Sequence, residues 1–188
     1  MKTVRDACQL QHNALSIKLS DQVEQLDELV KAAGDGTRFF GRTALTQGMQ
    51  DLITEGTARL VGMSKQAVFH LKQAMGGGKT HLLVCFGLLA KRPELRKTYC
   101  GGNAYSEKFG SAKTAAFNGR NNPDHFFWDE RARQLGKGDQ FRSFRTSGPI
   151  APNEKDWHQL FDGGDPVLIL VDEPPPNFHC WRSGLGAQ

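Results

Sequence analysis

Two short clusters carry the residue types that could handle a phosphate chain, and they lie far apart along the sequence. The first is Gly76-Gly77-Gly78-Lys79-Thr80. Consecutive glycines let the backbone come close to a ligand and take positive φ values that other residues resist. Successive N–H groups then point inward at an anion, and a helix that follows adds its positive N-terminal end. Lys79 offers a point charge to the outer phosphates, and the Thr80 hydroxyl suits a coordination position on Mg²⁺. The second cluster is Asp172-Glu173, directly after an apolar run. Asp172 would hold Mg²⁺, directly or through water, facing Thr80 across the phosphates. Glu173 would orient or activate an attacking water.

The glycine cluster departs from the P-loop pattern G-x-x-x-x-G-K-[ST] at its first position, where Gln73 stands, so the segment reads Q-x-x-x-x-G-K-T. The plain alternatives are a Gly-rich turn that happens to contain Lys-Thr, and a strand that happens to end in acids. Context on both sides favours phosphate binding. Ala67–Leu71 reads as a short strand and Thr80–Ala90 as a helix. Val167–Val171 is continuously apolar, the pattern of a central parallel strand covered on both faces. Carboxylates at its end would sit on the rim where ligands gather in open α/β sheets.

The remaining elements frame this unit. Asp21 starts an expected helix with a capping box to Glu24, ended by Gly34-Asp35-Gly36. A second helix is expected from Thr46 to Leu60, closing at Gly62. The helix after the glycines has almost no polar face and must be covered on most sides. Pro93 blocks its continuation, and residues 99–111 read as loop. Ala112–Phe117 reads as a strand, with Asn118 and Arg120 just beyond it as secondary site candidates. Pro123–Leu135 and Glu154–Phe161 read as helices. The chain thus divides into an N-terminal helical segment (1–66), a nucleotide-binding core (67–173) and an irregular tail (174–188).

A chain of 188 residues with a net charge of +4 fits one domain and favours no polyanionic partner strongly. No apolar run is long enough to span a bilayer, and MKTVRDACQLQHN lacks the apolar core of a signal peptide, which predicts a cytoplasmic protein without membrane contact. Cys8, Cys85, Cys100 and Cys180 are scattered without a C-x-x-C pair, so neither a disulfide framework nor a zinc site is expected. Phe141-Arg142-Ser143-Phe144-Arg145 could stack on and neutralise single-stranded nucleic acid. An ordered excursion pinned by its phenylalanines explains the same residues more simply.

QAMGGGKTHLL, FNGRNNPD and VLILVDEPPPNF are similar to segments of a bacterial P-loop (AAA-like) ATP-binding family, catalogued as domain of unknown function 499 and associated with anti-phage defence. The resemblance runs from about residue 10 to about residue 178. It implies ATP and Mg²⁺ as cofactors, with Gly76, Gly77, Gly78, Lys79, Thr80 and His81 holding the nucleotide. Thr80 and Asp172 would be the metal ligands, and Lys79 and Glu173 the catalytic pair. It also implies a three-layer α/β sandwich with a mostly parallel sheet and an N-terminal helical extension, with partners drawn from copies of the chain or other defence-system subunits. Members of the family are longer and place another strand between the phosphate-loop strand and the Asp-Glu strand, following both in sequence. The expectation is therefore an incomplete, C-terminally truncated P-loop module that hydrolyses ATP poorly. The alternative is a non-catalytic fragment that binds partner subunits or single-stranded nucleic acid.

Overall fold

The computed structural model describes Leu26 and residues 36–72, 76–119, 127–144 and 151–173. In chain order these form α1 (Gly36–Phe40), α2 (Gln47–Leu60), α3 (Lys79–Lys91), α4 (Pro93–Tyr99), β1 (Lys113–Asn118), α5 (Phe127–Gln134), a 3-10 turn (Arg142–Phe144), α6 (Glu154–Phe161) and β2 (Val167–Asp172). No helix among the described residues is long and apolar enough to cross a membrane.

β1 and β2 pair in parallel, with Lys113 opposite Val167 and Asn118 opposite Asp172. Side chains alternate across a strand, so Ala116, Leu168 and Leu170 face one side while Ala115 and Val167 face the other. α3 covers the first side, where Val84, Cys85, Leu88 and Leu89 join Phe39, Phe40, Ile53 and Leu95. α5 covers the second, where Trp128, Ala132 and Leu135 pack with Phe141 and Leu160. Helices on both faces of a small parallel sheet make this an α/β arrangement. Residues 84–90 of α3 are buried without interruption, as its lack of a polar face requires.

Local chemistry sets the helix ends. Thr46 caps α2 by accepting a hydrogen bond from the Met49 N–H at 3.4 Å, and Gly62 closes the turn after it with φ 76°. Asn153 and Asp156 form a reciprocal capping box that starts α6. Within α2, Gly56 allows α3 to approach, since a Cβ there would lie 2.4 Å from the tip of the Phe86 ring.

Three expectations need correction. Ala67–Leu71 is not a strand: residues 64–72 carry no regular structure, and Val68 is 77% exposed. Its backbone has no ladder partner among the described residues, and an apolar run without one does not form a strand. Val167–Val171 is not covered on both faces; only Leu170 of these five is buried and Val171 is 37% exposed. Among the described residues β2 pairs with β1 alone, so the far side of the strand lacks the cover that a central position would supply. Gly36 does not end a helix but lies in α1, where a Cβ would meet Leu95 Cδ1 at 2.5 Å. Pro93 stops α3 and also begins α4, whose first turn has no use for its missing N–H. Of the first expected helix, Leu26 is helical and fully buried. The rest of residues 1–35, the tail 174–188, Gln73, Arg120 and Arg145 lie outside the described residues.

Candidate functional site

The glycine loop leads straight into α3. Gly76 and Gly78 have φ values of 80° and 75°, and Gly78 is the N-cap residue. A Cβ at either position meets nothing within 4 Å, so what glycine supplies here is backbone conformation rather than space. The first hydrogen bond of the helix runs from Leu82 N–H to Gly78 O at 2.9 Å. The N–H groups of Lys79, Thr80 and His81 therefore have no acceptor within the helix and lie at its positive end. All three glycines are solvent-exposed, and Lys79, Thr80 and His81 are half-buried.

The second cluster meets the first. Because α3 lies along the β2 face that carries Leu168 and Leu170, its first turn reaches the carboxyl end of the strand. There the Thr80 hydroxyl donates to Asp172 Oδ2 at 2.6 Å, joining residues separated by 92 positions. Asp172 is 7% exposed and shares its face with Leu170 by strand alternation. Asn118 is its register partner, and the Gly119 N–H donates to Asp172 O at 3.1 Å. That secondary candidate thus sits on the same rim. Glu173 follows at the exposed end with φ 44°, the one positive value for a non-glycine among the described residues. Such a backbone costs about 1–3 kcal/mol, and strain of this kind concentrates at functional sites.

His81 is placed against the N-terminal segment. Its ring stacks on Phe39 with centroids 4.6 Å apart and planes at 25°, and its Nε2 lies 3.1 Å from Thr43 Oγ1. Neither Phe39 nor Thr43 carried a sequence signal, because nothing local ties residues around 40 to a loop around 80. Phe141 is 1% exposed and packs against Phe144 and Trp157, while Arg142 is exposed. The first aromatic ring of that segment therefore belongs to the core.

Two arginines outside the loop also escaped the sequence reading. Arg96 is buried with its Nε on Ser106 O at 2.8 Å and its Nη1 on Leu89 O and Ala90 O at 2.6 and 3.0 Å. Its Nη2 donates to Phe109 O at 2.7 Å and to Gly110 O. It thereby ties the C-terminal carbonyls of α3 to the loop before β1. Arg131, on the opposite face of the sheet, is equally buried and lies 4.1 Å from the Phe127 ring centre and 4.8 Å from that of Phe117. Its Nη1 makes one long contact of 3.5 Å to Leu170 O, and its Nε and Nη2 have no hydrogen-bond partner among the described residues. Burial pushes its pKa down to about 9.

Two hollows lie away from the loop. One of about 10 Å³, lined by residues including Lys113, Lys137 and Asp165 at the amino end of the strands, has room for one water. The other is an open groove of about 400 Å³ over α6 at Lys155, His158 and Phe161. The oxygen set at the loop fits Mg²⁺: a hydroxyl and a carboxylate lie side by side. No group of three or more His, Cys, Asp or Glu that could cage a metal occurs among the described residues. Magnesium commonly takes one or two protein oxygens and completes its shell with phosphate and water. No curated protein and no solved structure matches the chain. The model of the DUF499 N-terminal domain matches residues 8–99, just under half of the chain.

Proposed function

We propose that this chain is a Mg²⁺-dependent nucleotide-binding module of the P-loop ATPase type, with ATP as its nucleotide and an anti-phage defence ATPase as its setting. The single observation that supports the reading is the Thr80–Asp172 hydrogen bond of 2.6 Å, which brings together the two clusters singled out for phosphate and metal chemistry. Gly76, Gly77 and Gly78 shape the loop, and the N–H groups opening α3 face the phosphates. Lys79 neutralises the outer phosphate charge. Thr80 and Asp172 are the residues that would hold Mg²⁺, whose chemistry here is to offset charge on the phosphate oxygens. Glu173, one residue beyond Asp172, orients a water.

Titration calorimetry with Mg·ATP tests the reading directly. The intact chain is expected to bind, and Lys79→Ala to bind at least about tenfold more weakly, as loss of a charge-assisted contact implies. Equal affinities for the two proteins would remove the loop from the site. Glu173→Gln is expected to keep affinity within about twofold while lowering whatever turnover the chain shows, since a group that acts on the water acts chiefly in the transition state. The ATP and defence assignments come from the family resemblance. The rival reading, single-strand binding through Phe141–Arg145, loses a stacking face to the burial of Phe141. Arg142→Ala is accordingly expected to leave oligonucleotide binding unchanged at every salt concentration.

A further inference from the structure

The first turn of α3 is fastened to residues 36–43 by one imidazole ring. His81 follows Lys79 and Thr80 directly, and one face of its ring lies on Phe39 at 4.6 Å. Its Nε2 sits 3.1 Å from Thr43 Oγ1. The Thr43 hydroxyl has a single hydrogen, and it is directed to Phe39 O at 2.8 Å. With that hydrogen engaged, the oxygen has only lone pairs left, so the contact to His81 holds if Nε2 carries the proton and donates. The ring is then fixed in tautomer and in tilt by two residues of the same short segment. Phe39 is itself buried in the core with Phe40, Leu95 and the α3 residues Val84, Cys85 and Leu89, so the anchor is rigid.

We propose that Thr43, acting through the His81 ring, is a positioning residue for the phosphate loop, so that the N-terminal helical segment sets the placement of Lys79 and Thr80. The inference rests on the nucleotide-binding reading for its consequence, though not for its geometry. Any event that shifts residues 36–43, such as docking of a partner on the helical segment, reaches the loop through this ring. Thr43 does not touch the nucleotide in this scheme; it orders the turn that does.

Three measurements on the full chain test it. Nitrogen chemical shifts of His81 in mildly alkaline buffer are expected to show the Nε2–H tautomer, and the Nδ1–H tautomer would overturn the proposal. Thr43→Val keeps the shape and removes both hydrogen bonds, whereas Thr43→Ser keeps the hydroxyl. Hydrogen exchange of the first hydrogen-bonded amides of α3, from Leu82 onward, is expected to quicken in Thr43→Val and not in Thr43→Ser, with β1 amides unchanged in both. Unaltered exchange in Thr43→Val sinks the idea, and so does equal quickening at β1, which would mark general destabilisation. Mg·ATP affinity is expected to fall about three- to tenfold in Thr43→Val, the size of one net hydrogen bond, and to stay within about twofold in Thr43→Ser. A chain that binds no nucleotide would end the ATP reading alone, since the tautomer and exchange results decide the coupling without ligand.

Discussion

Arg96 directs its N–H groups at five carbonyl oxygens, whereas Arg131, equally buried, leaves two of its nitrogens without an acceptor among the described residues. The two should answer substitution in opposite senses. Arg96→Lys keeps charge but loses the planar fork, and several buried carbonyls lose their donor; denaturant unfolding is expected to show a loss of about 2–4 kcal/mol. Arg131→Met removes a cation held mainly against aromatic rings and is expected to gain about 1–4 kcal/mol at neutral pH. The pH dependence has a definite sign. The Arg131 pKa is about 9 in the folded chain, well below the ordinary arginine value, so from about pH 9 up to that ordinary value the unfolded chain binds more protons and stability rises with pH. The advantage of Arg131→Met should therefore be greatest below about pH 9 and shrink above it. An advantage that does not change with pH would mean that Arg131 folds in its ordinary charged state. At Glu173 the positive φ suits glycine, so Glu173→Gly is expected to leave stability unchanged or up to about 1 kcal/mol higher while removing the side chain assigned to water.

At the scale of elements, the approach of α2 to α3 depends on Gly56. Gly56→Ala would push a methyl group to 2.4 Å from a buried Phe86 ring, and thermal or denaturant unfolding should register a loss of about 1–3 kcal/mol. Wild-type stability in that variant would mean that the two helices slide freely. The elements most legible in the sequence were those specified locally. Thr46 with a periodic apolar stripe wrote α2, and an unbroken apolar stretch after Gly78 wrote α3, while α6 was legible as Glu154–Phe161 without the Asn153–Asp156 box that starts it. The loop was readable for the same reason, since φ preference and the Lys-Thr pair are contiguous. What stayed hidden depends on partners remote in sequence. Ala67–Leu71 has strand composition but no neighbour to pair with among the described residues. Arg96 reads as a surface residue in PELRK, because its five acceptors are backbone oxygens that carry no sequence signature. Thr43 gives no hint of His81 for a similar reason: a single hydroxyl sits in a turn that many residues could fill.

For the molecule as a whole, a ligand that binds only the folded chain raises its stability by mass action. Mg·ATP at about a hundred times its dissociation constant is expected to add about 2.7 kcal/mol, seen as a rise in melting temperature. Lys79→Ala at the same ligand concentration should lose about half of that rise or more while melting normally without ligand. A rise that survives in Lys79→Ala would move nucleotide binding to another part of the surface. The hydrogen bond between Thr80 and Asp172 has one more implication, for the order of assembly. Closing a loop of this length carries an entropic penalty that local helix contacts do not meet, so contacts of this kind tend to form late. During synthesis the glycine turn leaves the ribosome well before its acidic counterpart, and until the later segment arrives the threonine has only water for company. Competence for magnesium would then be a property that the nascent polypeptide acquires only after the aspartate has been made, and never while the glycine turn stands alone.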